Sequence, residues 1–171
     1  TSRVKWWLSK CIWCIASCTL YFACEMAAII GAVILTPITF DLNNTPEITA
    51  FLFSEALCGE TISLTPASVI LYALVLPFVT LTAMCMLQTL LNLVVRPAIS
   101  FLICFVAYIA AGYFPIEWLV GNGAMVMRYQ LFDANGLSYR KELVFTLLLL
   151  LLSIGAGYLL IQRKDLISLE K

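Results

Sequence analysis

Histidine is absent from all 171 residues. That one gap removes bis-His haem ligation, zinc peptidase chemistry and Ser-His hydrolysis together. Charge is scarce as well: ten Lys and Arg balance ten Asp and Glu, 12% of the chain in all, with no net charge. The basic residues are scattered, so nucleic acid binding has no electrostatic footprint. No Asp lies within a long apolar run, which excludes an intramembrane aspartyl protease. A G-x-x-x-x-G-K-[ST] loop is missing too, so the chain does not bind ATP by that route. An enzyme is not expected, and no cofactor is implied.

What the chain has in excess is hydrocarbon. Hydrophobic residues make up 63% and the mean hydropathy is +1.00. A soluble domain of this length needs a polar exterior, and too few polar residues are present to build one. The pattern predicts an all-α, polytopic integral membrane bundle, a single transmembrane domain over 1–171 with four spans, at 11–35, 68–93, 98–116 and 143–161. The last two carry no charge and have 19 residues each, roughly 28 Å as helix against a hydrocarbon core of ~30 Å. The runs are continuously apolar with no period-two alternation, which favours helices over a barrel. Pro77 inside the second span removes a backbone donor and clashes with the preceding turn, so a kink is expected just before it.

Lys and Arg sort by side. Arg3, Lys5, Lys10, Arg96, Arg163, Lys164 and Lys171 fall on one side of four crossings, and Arg128, Arg140 and Lys141 on the other. The positive-inside rule then puts both termini in the cytoplasm, with a plasma-membrane location. Acids lean outward: Asp41, Glu47, Glu55, Glu60, Glu117, Asp133 and Glu142. Trp6, Trp7 and Trp13 at the inner boundary and Trp118 at the outer one fit interfacial aromatic belts.

The two outer segments, 36–67 and 117–142, are more than links. The apolar patch at 48–57 is too short to span and suits a re-entrant or interfacial helix. Gly121-Asn122-Gly123 and Asn135-Gly136 are turn signals, and the apolar 124–132 between them, with Arg128, reads as a short helix on or in the outer leaflet. An ordered lid without a function of its own is the alternative. Cys11, Cys14 and Cys18 share a helical face, where Cys packs as a small apolar residue. Cys58 alone lies in an outer loop, so no structural disulfide is expected. Ala27 with Gly31, Ala107 with Ala111, and Ser153 with Gly157 are small-residue pairs that permit close helix approach.

Glu25 is the one ionisable group inside a span, near the middle of the first. Acids there are costly, at about 2.5–3.5 kcal/mol on insertion scales, and are turned inward or kept for a purpose. Two readings stand side by side: a group lining a polar path or gripping a cationic substrate, or a protonated acid hydrogen-bonded to Thr, Ser or Asn on a neighbouring helix, such as Asn92.

Three stretches resemble one family. The opening Thr-Ser-Arg-Val-Lys-Trp-Trp-Leu-Ser-Lys, running into a span, is similar to the cytoplasmic stretch between the second and third helices of bacterial ABC-2-type exporter permeases. The closing Gly-Tyr-Leu-Leu-Ile-Gln-Arg-Lys-Asp-Leu resembles their C-terminal exit. Gly121-Asn122, Met127-Arg128 and Asn135-Gly136-Leu137 resemble the outer segment before their sixth helix. The resemblance implies four of six spans with two helices upstream of Thr1, a permease subunit working with a second, identical or related, and a cytoplasmic ATP-binding subunit that hydrolyses ATP. It further implies that inner elements dock on that ATPase. Arg3, Lys5, Trp6 and Trp7 are the candidate coupling residues, and anionic lipid headgroups are an alternative partner for the basic ones. A non-transporting membrane subunit for immunity, assembly or sensing fits the same spans. A secondary transporter would call for an ion site and internal repeats, and no clear repeat is present.

Overall fold

A computed structural model describes residues 3–35, 66–114, 116, 118–130 and 136–163. Its elements are helical. The first helix, α1, is Arg3–Leu35; α2 is Pro66–Ile70, followed directly by a π-helical turn at Leu71–Val75 and by α3 at Leu76–Leu91. Then come α4 at Pro97–Tyr113, two 3-10 turns at Asn122–Ala124 and Val126–Arg128, and α5 at Tyr139–Arg163.

Three of these stretches are long and apolar enough to cross a membrane: Arg3–Ala32, Leu71–Leu91 and Tyr139–Arg163. The fourth apolar helix, α4, has 17 residues, about 25 Å of rise. It begins at Pro97, where a missing N–H costs nothing in the first turn, and it ends at Phe114, whose backbone is extended. The expected third span over 98–116 is therefore shorter as helix than the sequence suggested. The patch at 48–57 and Cys58 lie outside the described residues.

Just before Pro77 the helix is wound as a π turn. Leu76 N–H bonds the Leu71 carbonyl, five residues back, which lets the chain pass Pro77 with one extra residue in the turn.

The molecule has two recognisable ends. At one, Trp7 and Cys11 of α1 meet Met86 and Leu93 at the close of α3 and Ile161 of α5, with Cys14, Leu150 and Ile154 packed around them. Trp7 Nε1 donates to the Ile154 carbonyl at 3.1 Å. Its ring lies on Gly157, where a Cβ would stand 2.0 Å from Trp7 Cζ2. Gly157, one of the small pair Ser153 and Gly157, thus admits an indole. At the other end Tyr72, Leu76, Tyr129 and Leu137 form a second core with Leu71, Val126, Tyr139 and Leu143. Between them α5 packs chiefly on α3, and α1 lies against both.

Basic residues divide by end as their order in the chain implies: Arg3, Lys5, Lys10, Arg96 and Arg163 go with the Trp7 core, and Arg128, Arg140 and Lys141 with the tyrosine core.

Candidate functional site

Glu25 stands on α1 with an exposed side chain, one turn beyond Tyr21 and Phe22. Together with Pro77 and Leu81 of α3, Tyr108 of α4 and Ala124 of the first 3-10 turn, these residues line a cleft of about 500 Å³. Four separate segments meet there. Phe22 is braced edge-on against Phe78 of α3, with ring centroids 5.5 Å apart, which fixes the α1 wall of the cleft. Among the described residues, no basic side chain lines it. The suggested partner, Asn92, is at the opposite end of α3 from Pro77, and its buried Oδ1 has no hydrogen-bond partner among the described residues. The satisfied-acid reading through Asn92 is not what the structure contains.

The wall beside Ala124 is held by an ordered polar node. Gly121 has a φ of 120°, a conformation L side chains rarely adopt, and it lets the chain turn tightly over Ala111 and Tyr108. Gly123 follows against Thr80, where a Cβ would be 2.0 Å from the threonine Oγ1. Asn122, fully buried between the two glycines, donates from Nδ2 to the Ile116 carbonyl at 2.7 Å. Arg128 then closes the node. It donates to the Ala111 and Gly112 carbonyls at the end of α4 and, at 2.9 Å, to Asn122 Oδ1. A cation on the last carbonyls of a helix satisfies orphan acceptors and complements the helix dipole. Tyr129 completes the set by donating its hydroxyl to the Asn122 carbonyl at 3.2 Å.

This corrects the expected short helix over 124–132. Its described part is a 3-10 turn at Val126–Arg128 leading into an isolated parallel bridge between Tyr129 and Leu137. The backbone here bonds three residues back, Met125 N–H to the Asn122 carbonyl and Arg128 N–H to the Met125 carbonyl, and then Gln130 N–H to the Leu137 carbonyl, a pattern incompatible with a continuous α-helix.

A second carboxylate is the one that sequence reasoning missed. Glu142, assigned to the outer segment, is only 1% exposed, in the first turn of α5. An acid there suits the positive end of the helix dipole. It lies close enough to act on Tyr129, whose hydroxyl is pushed up from its ordinary range by burial first, then by Glu142 and Tyr72. Glu142, Thr146 and Ser153 fall on one face of α5, and all three are buried, as is Thr80 of α3. The hydroxyls of Thr80, Thr146 and Ser153 have no hydrogen-bond partner among the described residues. The helical spacing of these polar residues was the available signal. It was masked because Arg140 and Lys141 just before Glu142 make that stretch read as loop.

The candidate coupling segment divides. Arg3, Lys5 and Trp6 are exposed, and Lys10 Nζ lies 5.4 Å from the Trp6 ring centroid. Trp7 is 2% exposed and belongs to the interior of this chain. Trp7 was expected among the coupling residues; its indole instead faces α5, because Gly157 leaves room for it there.

No family model matches the chain, and neither a curated protein nor a solved structure does.

Proposed function

We propose that this chain is the membrane-embedded permease subunit of an ATP-driven exporter, with four spans and both ends of the described region in the cytoplasm. The reading starts from the sequence resemblance to ABC-2-type permeases. One structural observation supports it: a carboxylate opens onto a cleft between α1, α3, α4 and the Asn122–Ala124 turn in an otherwise apolar set of helices. A purely structural acid has no need of such a cleft, whereas a substrate path requires an open polar group among its walls. In this reading α4 is the shortest crossing, and the Arg128 node seals its outer end. Arg3, Lys5 and Trp6, exposed at the Trp7 end, are the residues available to a cytoplasmic ATPase. A second permease subunit or lipid covers the apolar outer faces of α1 and α4.

The test is co-expression of the tagged chain with candidate ATP-binding subunits, followed by pull-down and vesicle transport. A co-purifying ATPase whose hydrolysis drives efflux supports the exporter. Recovery of the chain with a different membrane complex and no ATPase would replace it with a non-transporting assembly or immunity subunit. Changing Arg3, Lys5 and Trp6 to Ala is expected to uncouple hydrolysis from efflux; unaltered coupling would leave these residues as membrane anchors.

A further inference from the structure

The Glu25 cleft has a chemistry more specific than that of a polar path. Three of its seven lining residues are aromatic, Tyr21, Phe22 and Tyr108, and the single charge among them is negative. Aromatic faces carry negative quadrupole density and attract cations, most strongly when water is excluded. Apart from the carboxylate, the lining side chains offer only two phenol hydroxyls for hydrogen bonding. A sugar or a polar peptide, which needs many directional partners, finds few here. A volume of about 500 Å³ lies within the range typical of small-molecule sites.

We infer that this cleft binds an amphipathic organic cation, a quaternary or protonated amine head carried on an apolar body. The inference rests on the exporter reading for its physiological meaning and deepens it by naming the substrate class. Glu25 neutralises the head, and Tyr21 and Tyr108 present aromatic surface to it. The apolar body has a place to go. Phe22 also lines a neighbouring groove of about 370 Å³ with Ala23, Met26, Leu74, Val75 and Phe78, whose surface is almost wholly apolar. A charged head in one compartment and hydrocarbon in the next is the division that an amphipathic cation presents.

The experiment uses the full chain in lipid nanodiscs without any ATPase, with ethidium as fluorescent probe and tetraphenylphosphonium as competitor. Neutral triphenylphosphine oxide serves as the uncharged counterpart. Saturable ethidium binding is expected, displaced by tetraphenylphosphonium and not by the oxide. Glu25→Gln, which keeps the volume, is expected to weaken it by roughly tenfold or more, the scale of a charge-assisted contact. Glu25→Asp is expected to retain part of the affinity, and Tyr108→Leu to lower it independently of the carboxylate. Equal binding by wild type and Glu25→Gln, or equal displacement by the neutral oxide, would overturn the site. A lipid ammonium is a second source of the same chemistry. At one fixed phosphatidylglycerol fraction, weaker ethidium binding when the remaining lipid is phosphatidylethanolamine than when it is a neutral glycolipid would assign the site to a headgroup, and equal binding to a free cation; either keeps an organic cation in the cleft. The binding assay contains no ATP, so its failure is distinct from that of the exporter reading. Cation binding without any ATPase partner sinks the exporter alone, whereas ATP-driven efflux by a chain that binds no cation sinks this site alone.

Discussion

Trp6 and Trp7 are neighbours in sequence and opposites in energetics. Both looked like boundary tryptophans, since nothing in a local apolar pattern says which indole turns toward the bundle. Gly157, 150 positions later, decides it by leaving a gap that only the Trp7 ring fills. Trp7→Ala removes the bond to Ile154 and opens a cavity, a loss of about 3–5 kcal/mol for a buried aromatic. Trp6→Ala loses an exposed ring and a cation–π contact with Lys10, worth about 1 kcal/mol or less. Thermal denaturation in detergent followed by size-exclusion fluorescence is expected to separate the two variants clearly. Similar melting points would mean that Trp7 does not hold α1 to α5.

Tyr129 makes a second prediction at this scale. In the unfolded chain a phenol titrates near 10. The folded protein holds the Tyr129 hydroxyl well above that through burial, Glu142 and Tyr72, so the folded state keeps its proton while the unfolded state sheds it. This contribution is complete below pH ~10 and is lost as pH rises beyond it. Tyr129→Phe therefore flattens the alkaline limb of the stability profile, while lowering stability near neutrality through the lost bond to Asn122. An unchanged slope above pH 10 would show that this phenol does not govern the alkaline limb.

At the scale of elements, the long apolar helices were legible because hydrophobic runs of such length have few other uses, and proline's missing donor marked the neighbourhood of Pro77 for a kink. The π turn over Leu71–Val75 was not legible, because no local pattern says which carbonyl the Leu76 N–H finds. Tyr72 of that turn rests against Tyr129 and Tyr139. The Arg128 node was half legible. Gly121, Asn122, Gly123 and Arg128 all stood out in the sequence, yet an apolar stretch with one Arg reads equally as a surface helix. Only the carbonyls at the end of α4 show what the Arg is for. Arg128→Met leaves those carbonyls and Asn122 Oδ1 without their donor, and hydrogen bonds to a charged group are worth about 1.5–3 kcal/mol. Faster amide exchange is expected in the last turn of α4 and around Asn122, with a lower melting temperature. Arg140→Met, at an exposed position, is the control. Equal protection in both variants would remove Arg128 from its capping role. Of the candidate cleft, one residue, Glu25, was singled out in the sequence. Its companions Tyr21, Tyr108, Pro77 and Ala124 come from four segments, and no local pattern brings them together.

For the whole molecule, sidedness follows from how the ends are built. The start of α1, the close of α3 and the close of α5 meet in the Trp7 core, and Arg3, Lys5, Lys10, Arg96 and Arg163 gather at that end. At the tyrosine end Arg128 is bonded to helix carbonyls and Asn122. Arg140 and Lys141 are exposed just at the start of α5. Positive residues resist translocation in proportion to their number near the spans, so the Trp7 end is expected in the cytoplasm. A cysteine-free background with Arg140→Cys or Lys10→Cys tests this in intact cells, because both positions are exposed and lie at opposite ends. A membrane-impermeant maleimide is expected to label the variant at 140 directly and the variant at 10 only after lysis. The reverse pattern would invert the protein, turn the Glu25 cleft toward the cytoplasmic half, and put Arg3, Lys5 and Trp6 out of reach of any cytoplasmic ATPase. Labelling of both in intact cells would mean that the two ends share one side, which a bundle with separate Trp7 and tyrosine cores does not permit.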